Sequence, residues 1–325
     1  MNKILIIDDV HPLLMEALEA AGFELVYRPD CAKDEVLVLA ADCSVLVLRS
    51  KITVDEALLR SLPQLQLIAR AGAGTDNIHE KACTDSGIGL VHAGGANSDA
   101  VGEQTLGMLL CLMANISKGD REVRRGIWNR EGNRGVELKG KTVGVIGCGY
   151  TGSAFVERLA PFGVQVLVFD PYKEITGWPH VRQTDMDALF QDADVLSVHV
   201  PLTHETRFMV NADFLSRFRK PIYLLNLSRG AVLRTKDAAR ALQQGQLRGL
   251  ALDVLEQEPP DALPAEDKLW FDQLRTMDEV LFTPHVGGWS TESYERISGV
   301  LAARIIRWFN REAKMPSSLL DYYKI

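Results

Sequence analysis

Three side chains of complementary chemistry stand just past apolar runs in the second half of the chain: Arg229 in LNLSRGAVL, Glu258 in ALDVLEQEPP and His285 in LFTPHVGGWS. An imidazole accepts and returns a proton near neutral pH. A carboxylate beside it orients the ring and stabilises the protonated form. A planar guanidinium grips a carboxylate through paired N–H bonds and polarises a neighbouring carbonyl. Together they suit a reaction that moves a proton on and off an oxygen of a small carboxylic acid. Taken singly, each has a plainer reading: a structural histidine, a solvated loop glutamate before Pro-Pro, and a surface ion-pair arginine.

The neighbouring sequence favours the joint reading. TVGVIGCGYTGSAF contains Gly147-x-Gly149-x-x-Gly152, and a second apolar run ends in Asp170, 23 residues after Gly147. A strand before, a helix after and an acidic residue at this distance make the dinucleotide fingerprint, where the glycines alone would be weak evidence. Gly147 permits the tight turn. Gly149 lets backbone approach a pyrophosphate, and Gly152 lets helix and strand pack closely. The helix N-terminus offers free N–H groups to the phosphates. Asp170 would accept from ribose hydroxyls and repel a 2′-phosphate, which favours NAD over NADP; Lys173 weakens that preference slightly. With nicotinamide as hydride acceptor, His285 takes a hydroxyl proton from a 2-hydroxy acid, Glu258 supports the imidazole and Arg229 holds the acid.

The elements that must position these residues read as α/β. Apolar runs at Lys3–Ile7, Glu24–Tyr27, Ser44–Leu48, Leu65–Ala69 and Leu90–His92 predict strands separated by helical patterns such as Leu13–Ala21 and Val54–Leu62. A long helix is expected over about 98–118. The alternation then restarts with strands at Thr142–Ile146, Val164–Phe169, Val195–Val200, Ile222–Leu227, Gly249–Val254 and Val280–Thr283, and Thr291–Asn310 reads as a closing helix. Two such sets predict two doubly wound parallel-sheet domains, which 325 residues accommodate at about 150 residues per domain. A net charge of −7 without a basic block argues against nucleic acid. Five cysteines, an odd number with no C-x-x-C pair, read as reduced thiols of a cytoplasmic protein without a zinc site. The start MNKILIIDD does not read as a signal peptide. The longest uncharged stretch, Gln104–Ser117, is 14 residues, which suits a buried helix and not a membrane span.

Nearly the whole chain resembles the D-isomer-specific 2-hydroxyacid dehydrogenases. RAGAGTDNI, GANSDAVGEQTLGMLL, GVELKGKTVGVIGCGYTG, HVPLTHET, NLSRGAV, GLALDVLEQEPP and TPHVGG carry the likeness. It implies a Rossmann nucleotide domain, residues 99–291, inserted in a flavodoxin-like substrate domain, residues 1–98 plus 292–325. The family's Arg, Glu and His fall on Arg229, Glu258 and His285. The resemblance also implies cofactor contacts from Tyr150, Thr151, Val200, Leu227, Asp253 and Gly287, substrate carboxylate contacts from Ala71, Gly72, Ala73 and Gly74, and a homodimer built on the nucleotide domain through the helix near 100–118. This sequence departs from the common pattern at Gly94, where proline is usual, at Gly102, where alanine is common, and at Trp289, a position often held by serine. The indole is expected to narrow the pocket, which bears on substrate choice and leaves the proton-transfer pair untouched.

LVLRSKITVDEAL is similar to the phosphoglycerate dehydrogenase branch. Arg49, Ser50 and Lys51 would then sit near the substrate, with Arg70 before the carboxylate loop, and such cations suit a phosphate; the plainer reading makes Arg49 and Lys51 solvated charges. D-3-phosphoglycerate is the favoured substrate and glyoxylate, hydroxypyruvate or another 2-keto acid the rival. No serine-responsive C-terminal domain is expected. An NAD-sensing corepressor-like protein is the reading from another class, opposed by the intact Arg229, Glu258 and His285. A phospho-receiver, suggested by Asp8-Asp9, lacks a second aspartate where Arg49 stands. Formate dehydrogenases share this architecture but pair the histidine with glutamine, so Glu258 points to hydroxy acids.

Overall fold

A computed structural model describes residues 2–319, 321 and 322; Met1, Leu320 and 323–325, which fall in the expected substrate domain, lie outside the described residues. The chain divides into two compact units, Met1–Asn97 with Trp289–Ile325, and Ser98–Gly288.

The first unit is built on five parallel strands: β1 (Lys3–Ile6), β2 (Glu24–Tyr27), β3 (Val45–Leu48), β4 (Leu67–Arg70) and β5 (Gly89–His92), in the order β2-β1-β3-β4-β5. Successive strand side chains point to opposite faces, and both faces here are covered. Ile4, Ile6, Val45, Val47, Leu67 and Ala69 pack with Leu14 and Leu18 of helix Pro12–Ala20 and with Leu301 and Ile305 of helix Thr291–Trp308. Leu5, Ile7, Leu46, Leu48 and Ile68 pack on the other side with Val36, Leu59 and Cys83. That is why the strands read as unbroken apolar runs and not as polar–apolar alternation.

The second unit holds seven parallel strands: β6 (Thr142–Ile146), β7 (Gln165–Phe169), β8 (Val181–Gln183), β9 (Val195–Val198), β10 (Ile222–Asn226), β11 (Leu247–Leu252) and β12 (Val280–Phe282). Their order is β12-β11-β10-β9-β6-β7-β8. The chain winds from β6 outward through β7 and β8, then returns to β9 on the other side of β6. The carboxyl ends of β6 and β9 therefore flank the switch point, where open parallel sheets bind ligands. Val143, Val145, Val166 and Val168 face Leu109, Phe155 and Leu159. Ile146, Leu167, Leu196 and Leu224 face Leu189, Leu215 and Ala238.

The helix expected over about 98–118 is two helices, Ser98–Met113 and Ile116–Arg124. Asn115 between them takes a left-handed conformation, φ 55°, which asparagine tolerates. The Val136 N–H donates to the Met113 carbonyl at 2.7 Å, so a passing strand of backbone satisfies the first helix's end. Edge strand β8, with the pattern VRQ, and helices Ala212–Ser216 and Ala265–Leu274 were not expected from the apolar spacing. No helix of the described residues is long and apolar enough to cross a membrane.

Helix Ser98–Met113 crosses helix Tyr150–Leu159 so closely that a Cβ on Gly102 would lie 2.9 Å from both the Ala154 carbonyl carbon and oxygen. Gly102→Ala gains about 1 kcal/mol of helix propensity and pays an overpacking cost of about 1–3 kcal/mol against backbone that cannot rotate away. The expected net effect is a loss of about 1 kcal/mol, read as a lower urea midpoint at unchanged slope. A midpoint raised above wild type would mean the crossing can open.

Candidate active site

The loop after β6 fits a dinucleotide. Gly147 has φ 85°, and a Cβ there would lie 2.5 Å from the His199 carbonyl oxygen and 3.0 Å from Val200 Cγ1. A Cβ on Gly152 would lie 2.1 Å from the Gly147 oxygen, so the helix can approach its strand only with glycine there. At Gly149 an added Cβ meets nothing within 4 Å. That glycine faces open space at the N-terminus of helix Tyr150–Leu159, whose first turn has no side-chain cap, leaving N–H groups to receive phosphate oxygens. Thr151 lies on that first turn and is half-buried, while Tyr150 is exposed. Asp170 stands just past β7. Its carboxylate accepts from the Cys148 N–H at 2.8 Å and the Tyr172 N–H at 3.0 Å, which aims it across the glycine loop. The Lys173 ammonium donates to the Cys148 carbonyl at 3.2 Å, so it braces the same loop.

The three acid–base candidates converge on the carboxyl-end loops of β10, β11 and β12. His285 Nδ1 lies 2.6 Å from Glu258 Oε2, and the other carboxylate oxygen accepts the Leu255 N–H at 2.9 Å. Burial alone would raise the Glu258 carboxyl, but the His285 bond, the Leu255 N–H and the charges of His285 and Arg229 hold it below its ordinary value. The bond to Glu258 raises His285 above its ordinary 6.5, with burial and Arg229 opposing and the charges of Glu258 and Asp253 assisting. Arg229 is thus near enough to act on both partners. Its own loop is fixed from behind: Asn226, 1% exposed, donates to the Arg229 carbonyl at 2.9 Å and accepts from the Ser228 hydroxyl and N–H. A Cβ on Gly230 would lie 1.7 Å from the Leu255 oxygen, so the arginine loop and the glutamate loop run in direct contact.

Asp253, expected as a cofactor contact, also binds the histidine loop through its carboxylate. It accepts from the Thr283 hydroxyl, the Val286 N–H at 2.9 Å and the Gly287 N–H at 2.8 Å. Gly287 is needed for this: a Cβ there would lie 2.9 Å from Asp253 Oδ2 and 3.5 Å from Leu227. Loop spacing in sequence carries no sign of that network.

In the first unit, Ala71–Gly74 follow β4. The Ala71 N–H donates to Leu48 and the Ala93 N–H to the Gly72 carbonyl, both at 2.8 Å, and the Arg70 guanidinium lies against Gly72. Arg49 lies after β3 with its guanidinium over the Trp289 ring. Lys51 and Ser50 do not join it. The Lys51 ammonium donates to the Pro29 and Cys31 carbonyls, and both residues line a separate cavity of about 490 Å³ with Lys33, Thr53 and Asp55.

Residues 106–287 match the family model for the NAD-binding domain of D-isomer-specific 2-hydroxyacid dehydrogenases. The chain is 36% identical to a D-3-phosphoglycerate dehydrogenase from Methanocaldococcus jannaschii over 94% of its length, but spans only 57% of that longer protein. It is 33% identical to a glyoxylate reductase from Thermofilum pendens, covering 89% of this chain and 85% of that one. A D-lactate dehydrogenase from Aquifex aeolicus, solved with NAD and lactic acid, superposes with a TM-score of 0.82 at 26% identity, over 96% of this chain and 97% of the other.

Two measurements test the site. By NMR titration His285 is expected to hold its proton above pH 6.5, and Glu258→Gln should bring the titration below wild type by about one unit or more, because burial and Arg229 are then opposed by the Asp253 charge and no longer by Glu258. The raised value also means that the His285 contribution to stability is complete below pH 6.5 while Glu258 stays ionised; it is lost as pH rises through the His285 titration and again as acid protonates Glu258. An unmoved titration in the variant would show that Glu258 does not set it. Asp170→Ala should narrow the preference for NADH over NADPH about tenfold or more in fluorescence titrations, whereas an unchanged ratio would mean the carboxylate does not face the ribose.

Proposed function

This chain belongs to the D-isomer-specific 2-hydroxyacid dehydrogenase family, and on that premise we propose that it interconverts a D-2-hydroxy acid and its 2-keto acid with NAD, and that the acid is D-3-phosphoglycerate. The observation that carries the reading is the 2.6 Å contact between His285 and Glu258 within the field of Arg229, on the sheet that carries the dinucleotide loop.

Bound NAD supplies the nicotinamide that accepts or donates the hydride. The rest falls to the protein. The Glu258 bond at Nδ1 leaves Nε2 of His285 as the nitrogen that exchanges a proton with the substrate oxygen. In the hydroxy acid to keto acid direction the neutral ring must take that proton; in reverse the protonated ring donates it. Raising the His285 affinity for its proton therefore extends keto acid reduction to higher pH. Arg229 would hold the substrate carboxylate through its planar fork. Gly147, Gly149, Tyr150, Thr151, Gly152, Asp170, Val200, Leu227, Asp253 and Gly287 would hold the cofactor, and Asp253 and Gly287 would also hold the His285 loop in place.

The phosphorylated acid is favoured by the phosphoglycerate dehydrogenase likeness and by Arg49. An unphosphorylated acid such as glyoxylate or hydroxypyruvate is the second reading, favoured because the glyoxylate reductase is matched over 85% of its length. A homodimer is part of the proposal, supported by the exposed apolar residues Ile116, Val123, Ile127 and Trp128 on and after helix Ile116–Arg124. So is a cytoplasmic location, supported by five free thiols.

His285→Ala should lower kcat about 10²–10⁴-fold while NADH still binds; near-normal turnover would overturn its role. Purified protein should oxidise NADH with 2-keto acids, with 3-phosphohydroxypyruvate preferred over hydroxypyruvate, glyoxylate and pyruvate. Preference for an unphosphorylated acid would keep the mechanism and move the substrate.

A further inference from the structure

The first unit has a switch point of its own. From β1 the chain winds to β2 on one side and then returns to β3 on the other, so the carboxyl ends of β1 and β3 flank a crevice of the kind that binds ligands in open parallel sheets. The residues there are arranged around one cation. Asp8, after β1, accepts the Arg49 backbone N–H at 2.6 Å, and Asn77 donates to the Arg49 carbonyl at 3.1 Å. The side chain is then laid flat. Its guanidinium carbon is 4.0 Å from the centroid of the Trp289 ring. The indole is itself set at an angle against Tyr294, with centroids 5.7 Å apart, and the Tyr294 hydroxyl donates to Asp9 at 2.5 Å. Chain entry at Trp289 is fixed by the next residue, because Ser290 and Ser293 cap helix Thr291–Trp308 reciprocally.

Burial works against the Arg49 charge, yet among the described residues no carboxylate oxygen lies within ion-pair distance of its guanidinium. The indole meets its face, and the charges of Asp8 and Asp9 favour it from beyond that distance. A guanidinium held by its face keeps its N–H edge free for a planar, two-point contact with an oxyanion.

We propose that Trp289 is a specificity-positioning residue: by stacking on Arg49 it presents the guanidinium edge to an anionic group at the end of the substrate distant from its reacting carbon, a phosphate in the reading above. The inference rests on that reading for the identity of the anion. It also replaces the expectation that the indole acts by narrowing the pocket. A serine at this position could not hold the guanidinium flat, and arginine would lose orientation on its flexible stem.

The test compares wild type with Trp289→Ser, Trp289→Phe and Arg49→Ala. For each, kcat/KM is measured with 3-phosphohydroxypyruvate and with hydroxypyruvate, which differ only in the phosphate, and NADH fluorescence titration checks that the second unit is folded. The quotient of the two kcat/KM values should fall about tenfold in Trp289→Ser, matching a partly desolvated cation–π contact. It should fall at least as far in Arg49→Ala and stay within about threefold of wild type in Trp289→Phe, where a weaker aromatic face remains. If Arg49→Ala collapses the quotient and Trp289→Ser leaves it unchanged, the role of Trp289 is overturned and the phosphorylated-acid reading stands. If neither variant changes the quotient, the distal-anion reading falls with it. If Trp289→Phe is as impaired as Trp289→Ser, stacking is not the cause and the proposal fails.

Discussion

A buried carboxylate must find donors, and at Asp253 that requirement shapes the loop that carries His285. The residue is 2% exposed, and leaving its oxygens unsatisfied would cost several kcal/mol (~3–5). The donors it finds are the Thr283 hydroxyl and the Val286 and Gly287 N–H groups. They bracket His285, whose N–H also donates to the Asp253 carbonyl at 2.8 Å and whose φ is 55°. A left-handed histidine is held against a local cost, and the network around Asp253 is what over-determines it. The Glu258 bond then fixes the ring. Backbone first and imidazole second, the His285 ring is placed by the Asp253 network and the Glu258 carboxylate.

The same sheet carries a second histidine after a strand, and the comparison shows how environment assigns roles. His199 follows β9 and is fully enclosed. Burial pushes its titration down to about 4, so it stays neutral near pH 7. Its ring stacks on Phe155 with centroids 5.6 Å apart, Nε2 meets the Ser197 hydroxyl at 2.8 Å, and its carbonyl lies under Gly147. His285 keeps half its side chain exposed and has a carboxylate beside it. One histidine packs the floor beneath the glycine loop and the other meets solvent with a carboxylate beside it.

That contrast marks the limit of what the residues disclose before folding. HVP and PHV look alike as strings; burial and the glutamate of a different loop distinguish them, and that glutamate is 27 residues away in sequence. Apolar runs announced the parallel strands because both faces of each sheet are covered, and the glycine spacing announced its loop because each missing Cβ answers a contact of under 3 Å or an open face. What stayed hidden depended on long-range partners. The break at Asn115 needs the Val136 N–H, and the Lys51 ammonium is engaged by carbonyls of residues 29 and 31. The three-residue strand β8 has too few side chains to show a period.

On the proposed roles, charge balance around His285 would tie substrate binding to protonation. Glu258 and Asp253 favour the imidazolium, and Arg229 opposes it. A carboxylate seated on Arg229, as proposed, would neutralise that opposing charge and leave the two acidic neighbours uncountered. The imidazole would then hold its proton more tightly with an acid bound than without. By linkage the converse also holds: protonating His285 must strengthen acid binding by the same factor. A keto acid needs the protonated ring, so its binding and the required proton assist each other. A hydroxy acid needs the neutral ring and must bind against the same coupling, so one arginine favours binding in the direction of reduction before any difference between the two acids is considered.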